Sequence, residues 1–480
     1  MNNKIKKNYI YNLIYQILTI ITPFITTPYV SRTLCADGVG TSSYLSALVS
    51  YFVLFGGLGL TTYGQREISY CHNSKIDRSV KFWEIQILGF CSYGISLLVY
   101  ILFVFFFHQN DLLYVIVCLQ ILASMFDTVW FFYGIEDFKN VVVRNIILKL
   151  LSIILVFAFV KNENDLSVYM LICLGVNFIS SLCLWPLLTN RIAIVPINLL
   201  RPFKHIKGAL QLFVPTIAIQ VYVNVDKIMI GFFANGSAQN GYYEQAQKIE
   251  SMCLMVVVSL GTVMIPRIGA LFSENNITEV ERMIYKSFRF TFITSLPICF
   301  GLIAISDIFV KWFFGNGFEE VISILCVLSI NIILIGLSNV IGTQYLIPLK
   351  KQKEYTISVI LGMIINIIMN AILIEKYLAL GASVATLCAE LVVTSTQFLM
   401  VKDRFNIKII LVENWKYFVA SFIMFSMTIV IKNEFCLIGD GGLVGVCVLT
   451  GLVVYVIALC ILKDDFFLEL SSEVIKRIKT

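Results

Sequence analysis

Long apolar runs alternate with short polar segments along the whole chain. Each run holds about 20 residues, which is enough for a helix to cross roughly 30 Å of hydrocarbon. The pattern therefore predicts an all-α polytopic membrane protein with about fourteen transmembrane helices, called spans 1 to 14 below. Their approximate bounds are 9–31, 41–61, 82–107, 111–133, 141–160, 166–189, 208–234, 249–272, 288–305, 321–346, 356–374, 379–401, 415–431 and 442–462.

The composition agrees with this pattern. Hydrophobic residues make up 58% of the chain and charged residues 14%, whereas soluble domains contain about 45–50% and about 25%. The connections between the spans are short and leave no room for a soluble catalytic domain, so we expect no enzyme. The 13 cysteines are scattered and there are only three histidines, so neither a metal site nor a cofactor is expected.

The basic residues are distributed unequally between alternate loops. The N-terminus and every second loop after it hold 28 of the 36 lysines and arginines. The loops on the other side hold six, and two lie within apolar runs. Because basic loops stay in the cytoplasm, both termini are predicted to be cytoplasmic. The net charge of +6 follows from this bias and requires no nucleic-acid partner. The tail Asp464–Thr480 is predicted to form an amphipathic helix on the cytoplasmic surface.

The chain also repeats itself weakly. A shift of 201 residues brings Gly40 onto Gly241 and Arg66 onto Arg267. This repeat predicts two pseudo-symmetric lobes of six spans, residues 1–200 and 201–402, followed by spans 13 and 14 and the tail in residues 403–480. Lobes of six spans enter the membrane in the same sense, so an axis along the membrane normal would relate them. That plan is known from transporters that hold their substrate between the two halves.

Two charged residues are predicted to lie at similar depth in adjacent spans. Asp127 lies in span 4, and Lys149 lies in span 5. A charge inside the membrane is costly unless it is paired or faces a wet cavity. They are interpreted either as a structural ion pair or as part of a cavity for an anionic group or a coupling ion.

Four further residues are candidates for a cavity. Asp226 and Lys227 are neighbours in span 7 and point about 100° apart, so they cannot share one partner. Arg32 ends span 1 on the same predicted outer side as Lys227. Glu390 lies in span 12, where protonation would remove the cost of its charge. Asp127, Asp226 and Glu390 are therefore candidate cavity or ion-coupling acids, although a hydrogen-bonded structural role for Glu390 remains open.

Several motifs together resemble one family of membrane proteins. Residues 127–145 read DTVWFFYGIEDFKNVVVRN, residues 225–231 read VDKIMIG, and residues 240–249 read NGYYEQAQKI. Span 2 ends in YGQREIS and span 8 in MIPRI. These motifs resemble Wzx-type oligosaccharide flippases of the multidrug/oligosaccharidyl-lipid/polysaccharide exporter superfamily.

The resemblance implies a two-lobed fold with a cationic central cavity. It implies that undecaprenyl-diphosphate-linked oligosaccharides are flipped across the bacterial inner membrane, for O-antigen, capsule or exopolysaccharide assembly. Alternating access between the lobes would be coupled to a gradient of H⁺ or Na⁺. Arg32, Lys149 and Lys227 are predicted to bind the diphosphate of the lipid-linked substrate, and membrane lipids would surround the spans.

Two other functions stay open from the sequence. A drug/cation antiporter of the same superfamily would require a more acidic and aromatic cavity than Arg32, Lys149 and Lys227 suggest. A polysaccharide polymerase, which is an enzyme, would be expected to carry a large external loop, and the predicted external loops are short.

Reporter fusions test the predicted topology. Fusions at both termini, Lys81, Lys204 and Lys351 should report the cytoplasm, and fusions at Lys161 and Lys432 the periplasm, because of the charge bias. Alkaline phosphatase and green fluorescent protein activities measure the two locations. A cytoplasmic signal at Lys161 would show that the predicted parity of the spans is wrong.

Overall fold

The computed structural model describes the backbone of residues 3–71, 74–108, 111–233, 237–434, 439–469 and 472. It describes their side chains from residue 18 onward, except at positions 20, 214, 215 and 219. Most of the tail that the sequence predicts as an amphipathic helix lies outside the described residues.

Most described residues of the predicted spans are helical. Seventeen α-helices are formed by the described residues: α1 Asn3–Gly57, α2 Leu60–Tyr70, α3 Lys75–Phe107, α4 Leu112–Ile116, α5 Cys118–Met125, α6 Val129–Gly134, α7 Phe138–Phe159, α8 Leu166–Leu182, α9 Trp185–Leu188, α10 Ile206–Phe233, α11 Ser237–Ser273, α12 Ile277–Phe314, α13 Glu320–Ser338, α14 Gln352–Met400, α15 Ile407–Glu413, α16 Trp415–Glu434 and α17 Asp440–Ile461. A π-helical segment, Asn339–Leu346, continues α13.

Twelve helical segments in the described chain are long and apolar enough to cross a membrane. Two of the underlying helices contain a residue with non-helical dihedral angles. Cys35 interrupts α1 between predicted spans 1 and 2, and Leu378 interrupts α14 between predicted spans 11 and 12. The predicted all-α membrane fold is confirmed, while the number of fourteen crossings stays a prediction.

Contacts divide the chain into two compact units. The first comprises Met1–Gly231 with Gly236–Gly241, and the second comprises Phe232–Asn235 with Tyr242–Thr480. By contacts, α10 therefore belongs mostly to the first unit. The lobes predicted at residues 1–200 and 201–402 rest on the sequence repeat rather than on contacts, and they stay a prediction.

In the first unit, α3 shows how a membrane helix distributes its polar groups. Its outer face is apolar and exposed, as at Leu98, Leu102 and Phe105. On its inner face, Ser96 donates a 2.6 Å hydrogen bond to the Phe52 carbonyl in α1. Such hydrogen bonds between helices satisfy polar groups that lipid cannot.

In the second unit, α12 is the central helix. It packs against α13, α16 and α17. Its buried residues include Phe288, Phe292 and Leu296, which belong to a large apolar cluster with side chains of α13, α14 and α16. The hydroxyl of Tyr455 in α17 donates a 3.0 Å hydrogen bond to the carbonyl of Ile293 in α12, so this cluster also contains direct polar links.

The two glycines that the repeat superimposes lie in one reciprocal contact within the first unit. A Cβ on Gly40 would lie 1.7 Å from the Ser237 carbonyl oxygen, and a Cβ on Gly241 would lie 2.1 Å from the Ala36 carbonyl oxygen. Ala36 and Ser237 are themselves 201 residues apart. Each helix thus presents two small residues four positions apart, a pattern that lets helix backbones approach closely. The reciprocity supports the repeat.

The connection before α10 is anchored on α3 by a buried carboxylate. Glu84 is 1% exposed and accepts 2.9 Å hydrogen bonds from the Arg201 amide and from Nε2 of His205. The ammonium of Lys204 lies 2.8 Å from the same carboxylate. A buried charge without such partners would cost several kcal/mol, on the order of 3–5, so these contacts hold the connection in place.

His205 lies in this connection, outside the membrane-spanning segments. Its Nδ1 lies 2.8 Å from the Tyr63 hydroxyl. Burial lowers the pKa of His205 below its ordinary value, and Glu84 opposes this shift only in part. A neutral imidazole that donates from Nε2 to Glu84 and accepts at Nδ1 from Tyr63 satisfies both ring nitrogens.

Alanine at Gly241 tests the reciprocal contact. Gly241→Ala should lower the stability of the protein by at least about 1–3 kcal/mol, because the new Cβ would overlap the Ala36 carbonyl. Gly445→Ala in α17 is the matched control, since its Cβ would meet no atom within 4 Å. Alanine is the better helix former by about 1 kcal/mol. Thermal melts of the purified variants measure the stability of each. Equal melting temperatures for Gly241→Ala and the unsubstituted protein would contradict the close contact.

The buried histidine predicts a pH dependence of stability. Its folded-state pKa lies below the unfolded value of about 6.5, so its stabilising contribution is present above that pH and is lost as pH falls towards the folded pKa. The loss should not exceed about 1.4 kcal/mol per pH unit for one proton. Thermal melts between pH 7.5 and 5.5 should show a flatter profile for His205→Gln than for the unsubstituted protein.

Tyr63→Phe provides a second variant for the same measurement. It removes the hydroxyl that donates to Nδ1 of the neutral His205 ring. The neutral form is then less favoured, so the pKa of His205 should move back towards its unfolded value and the pH profile of stability should flatten. Identical profiles for all three proteins would show that His205 does not titrate in this range.

Candidate functional site

Predicted span 4 is interrupted at Asp127. Helix α5 ends at Met125 and α6 begins at Val129. The Asp127 carboxylate accepts a 3.0 Å hydrogen bond from the Val129 amide, and its backbone carbonyl accepts a 3.2 Å bond from the Trp130 indole. An interrupted helix inside a membrane protein is tolerated where the backbone is buried in protein or lines a cavity.

This interruption lines a polar cavity within the first unit. The cavity has a volume of about 430 Å³ and is lined by residues of α1, α2, α3, α5, α6, α7 and α8. Its polar side chains are Thr61, Gln86, Tyr93, Ser124, Asp127, Trp130, Arg144, Asn145, Asn177, Ser180 and Ser181. We call it the polar cavity.

Arg144 and Asn145 also line the polar cavity, where Arg144 adds a positive charge to the negative charge of Asp127. Arg144 lies about two turns inside α7. It donates a 2.7 Å hydrogen bond to the Ser180 carbonyl and hydrogen bonds of 2.6 and 3.1 Å to Asn145 Oδ1. Arg144 and Asp127 line the same cavity. Arg144 was not among the predicted site residues. The signal in the sequence is its position inside the apolar run 141–160, where a charge is costly.

Lys149 lies one turn further along α7. It follows Asn145 by four residues and therefore shares its face of the helix. Lys149 is half-buried, while Ile147 and Leu150 beside it are exposed. In the described part of the chain no ion pair joins Lys149 to Asp127, so the pair considered from the sequence is not formed here.

Three other predicted residues also lie in the first unit. Arg32 is exposed and comes three residues before the break at Cys35. In α10, Asp226 is 2% exposed and Lys227 is half-buried, so the neighbours do point in different directions.

The second unit contains two buried acids. Glu390 in α14 is 7% exposed. Glu250 in α11 is 4% exposed and accepts a 2.8 Å hydrogen bond from the Asn331 amide in α13. Glu250 was not among the predicted site residues, because it is the second residue of the apolar run 249–272 and so lies at the end of a predicted span.

An apolar groove lies in the second unit. Its volume is about 420 Å³, and it is lined by residues of α11, α12, α16 and α17. Exposed apolar side chains such as Val256, Val448 and Leu452 form part of its wall. Among the described residues, no three His, Cys, Asp or Glu side chains form a group that could hold a metal ion.

Two family models each match more than half of the chain. The model described as polysaccharide biosynthesis protein matches residues 5–272, and the model described as lipid II flippase MurJ matches residues 141–439. A putative O-antigen transporter of Escherichia coli (strain K12) is 23% identical over 407 residues, which cover 83% of this chain and 97% of that protein.

Solved structures share the fold. A lipid II flippase MurJ in an inward closed conformation superimposes with a TM-score of 0.76, at 17% identity, over 95% of this chain and 98% of that one. A multidrug resistance MATE family transporter in an inward-facing conformation gives a TM-score of 0.62, at 13% identity, over 77% of this chain and 93% of that one. At these identities the likeness concerns the fold alone.

The family matches cover both the residues around the polar cavity and the second unit. The resemblance predicted from the motifs of residues 127–145, 225–231 and 240–249 is therefore confirmed. The chain belongs to the polysaccharide biosynthesis protein family, among the Wzx-type flippases of the multidrug/oligosaccharidyl-lipid/polysaccharide exporter superfamily.

Proposed function

We propose that this membrane transporter moves a lipid-linked oligosaccharide across the membrane by alternating access. The observation that carries the proposal is the placement of Lys149, a half-buried cation on α7 one turn beyond Asn145, which lines the polar cavity, in a chain of this family. A charge at that position is costly in lipid and is retained where it meets water or an anionic ligand.

Arg32, Lys149 and Lys227 are proposed to bind the diphosphate of the lipid carrier. Arg32 is exposed and Lys149 and Lys227 are half-buried, so none of the three cations is enclosed in the interior of the protein. Cations bind phosphate oxygens by charge-assisted hydrogen bonds, which are roughly twice as strong as neutral ones. Lys149 would meet the headgroup on the cytoplasmic side, and Arg32 and Lys227 on the outer side.

The apolar groove of the second unit suits the hydrocarbon tail of such a substrate. Its wall contains no charged side chain, and its exposed apolar residues are those that face lipid. Burial of apolar surface is favourable by about 25 cal/mol per Å². The tail would therefore stay in or beside lipid while the polar headgroup crosses.

H⁺ or Na⁺ is proposed as the coupling ion. Asp226 and Glu390 are buried carboxylates, and Asp127 lines the polar cavity. A buried carboxylate changes its charge on taking up a proton or neutralises a bound cation, so each is a candidate coupling site. We propose the bacterial inner membrane as the location, with both termini in the cytoplasm.

Substitution of the lysines tests the proposed diphosphate site. Lys227→Arg should keep most of the transport, because a point charge is retained, whereas Lys227→Ala and Lys227→Glu should lose it by about tenfold or more. At Lys149, the arginine variant should likewise keep most of the transport, and the alanine and glutamate variants should lose it. Export of the glycan in a flippase-deficient strain, normalised to the amount of each variant in the membrane, measures the effect.

Matched controls lie on the same helices. Lys207→Ala in α10 and Lys139→Ala in α7 remove exposed lysines and should leave export unchanged. Full export by Lys227→Ala and Arg32→Ala would show that these cations do not hold the diphosphate and that Lys227 only extends towards the interface.

A further inference from the structure

The polar cavity contains charges of both signs. Asp127 and Arg144 both line it, so an anion that the guanidinium attracts is also repelled by the carboxylate. This sets the polar cavity apart from the cationic positions proposed for the diphosphate. A neutral, strongly polar ligand gains from both groups, because it accepts from the guanidinium and donates to the carboxylate.

Several side-chain amides in its wall have hydrogen-bonding atoms without a partner among the described residues. In the described residues, the side chain of Asn177 makes no hydrogen bond, Nδ2 of Asn145 makes none, and Oε1 of Gln86 makes none. These groups supply donors and acceptors side by side. A hydroxyl group is both a donor and an acceptor, so a ligand rich in hydroxyls matches this wall.

The size and shape of the polar cavity set the scale of the ligand. Pockets for small molecules have volumes of about 300–1,000 Å³, and this one measures about 430 Å³. Tyr93 and Trp130 add aromatic surface to the wall, and Thr61 and Asn177 are its exposed residues. A polar pocket with an aromatic wall suits a ring that has hydroxyls at its edge and C–H groups on its face.

We infer that the polar cavity is a subsite for one sugar residue of the transported glycan. The inference rests on the proposed function, because the lipid-linked oligosaccharide supplies the sugar. Asn177, Asn145 and Gln86 would bind its hydroxyls, with Asp127 and Arg144 on either side. The subsite would hold the glycan while the cationic residues hold the diphosphate, and it would make the sugar a determinant of transport.

Equilibrium dialysis tests the subsite with the full chain in lipid nanodiscs. The probe is the radiolabelled glycan released by mild acid from the lipid-linked intermediates of the host strain, and inorganic pyrophosphate is the comparison probe. Asn177→Ala should weaken binding of the glycan about tenfold and leave binding of pyrophosphate unchanged. Asp127→Asn should also weaken it, and its amide oxygen still accepts from the Val129 amide, so the helix interruption is retained.

Leu171→Ala, on the exposed face of the same helix as Asn177, is the matched control and should bind as the unsubstituted protein does. Size-exclusion elution of each variant verifies folding. Absence of glycan binding by the unsubstituted protein, equal affinity in Asn177→Ala and Asp127→Asn, or loss of pyrophosphate binding in these variants would each overturn the subsite.

The proposed function is tested separately in the same preparation. Proteoliposomes loaded with the lipid-linked glycan report its transfer between leaflets. Glycan binding that depends on Asn177 without any transfer would refute the proposed transport and leave the subsite standing. Transfer by the unsubstituted protein with glycan binding that does not depend on Asn177 would refute the subsite alone.

Discussion

The absence of water in the hydrocarbon core is the constraint on which this structure depends. A polar group there must find its partner inside the protein, because leaving it unsatisfied costs several kcal/mol, on the order of 4–8 for an amide. The outer faces of the helices are accordingly apolar, and serines such as Ser96 turn inward to bond a neighbouring backbone. The polar side chains collect within each unit as a consequence.

The same constraint separates structural charges from candidate functional ones. Glu84 is buried but fully occupied by Lys204, His205 and the Arg201 amide, which suits a fixed anchor for the connection to α10. Lys149 is only half-buried and has no ion pair among the described residues. The side-chain amide of Asn177 also makes no hydrogen bond among the described residues. Ligand pockets contain a few polar groups that orient the ligand, and Asn177 is such a group in the polar cavity.

A close backbone contact joins the two glycines that the weak repeat superimposes. Gly40 contacts the backbone of Ser237, which lies four residues before Gly241. Gly241 in turn contacts the backbone of Ala36, which lies four residues before Gly40. Only small residues permit that approach. Two isolated glycine matches in the sequence are weak evidence, but their reciprocal contact gives them a physical reason, because either Cβ would displace a main-chain oxygen.

The sequence by itself determined the class of the protein, the approximate position of its spans and the family, since hydrophobicity over about 20 residues is a local property. It also selected Asp226 and Glu390, which are buried as an acid inside a span must be. The tertiary structure decided which of the polar groups meet. It placed Asp127 in a helix interruption with Arg144 and Asn177 rather than in an ion pair with Lys149, and it placed His205 on Glu84. Such meetings depend on the rotation and packing of helices far apart in sequence, which the local pattern of hydrophobic residues does not encode.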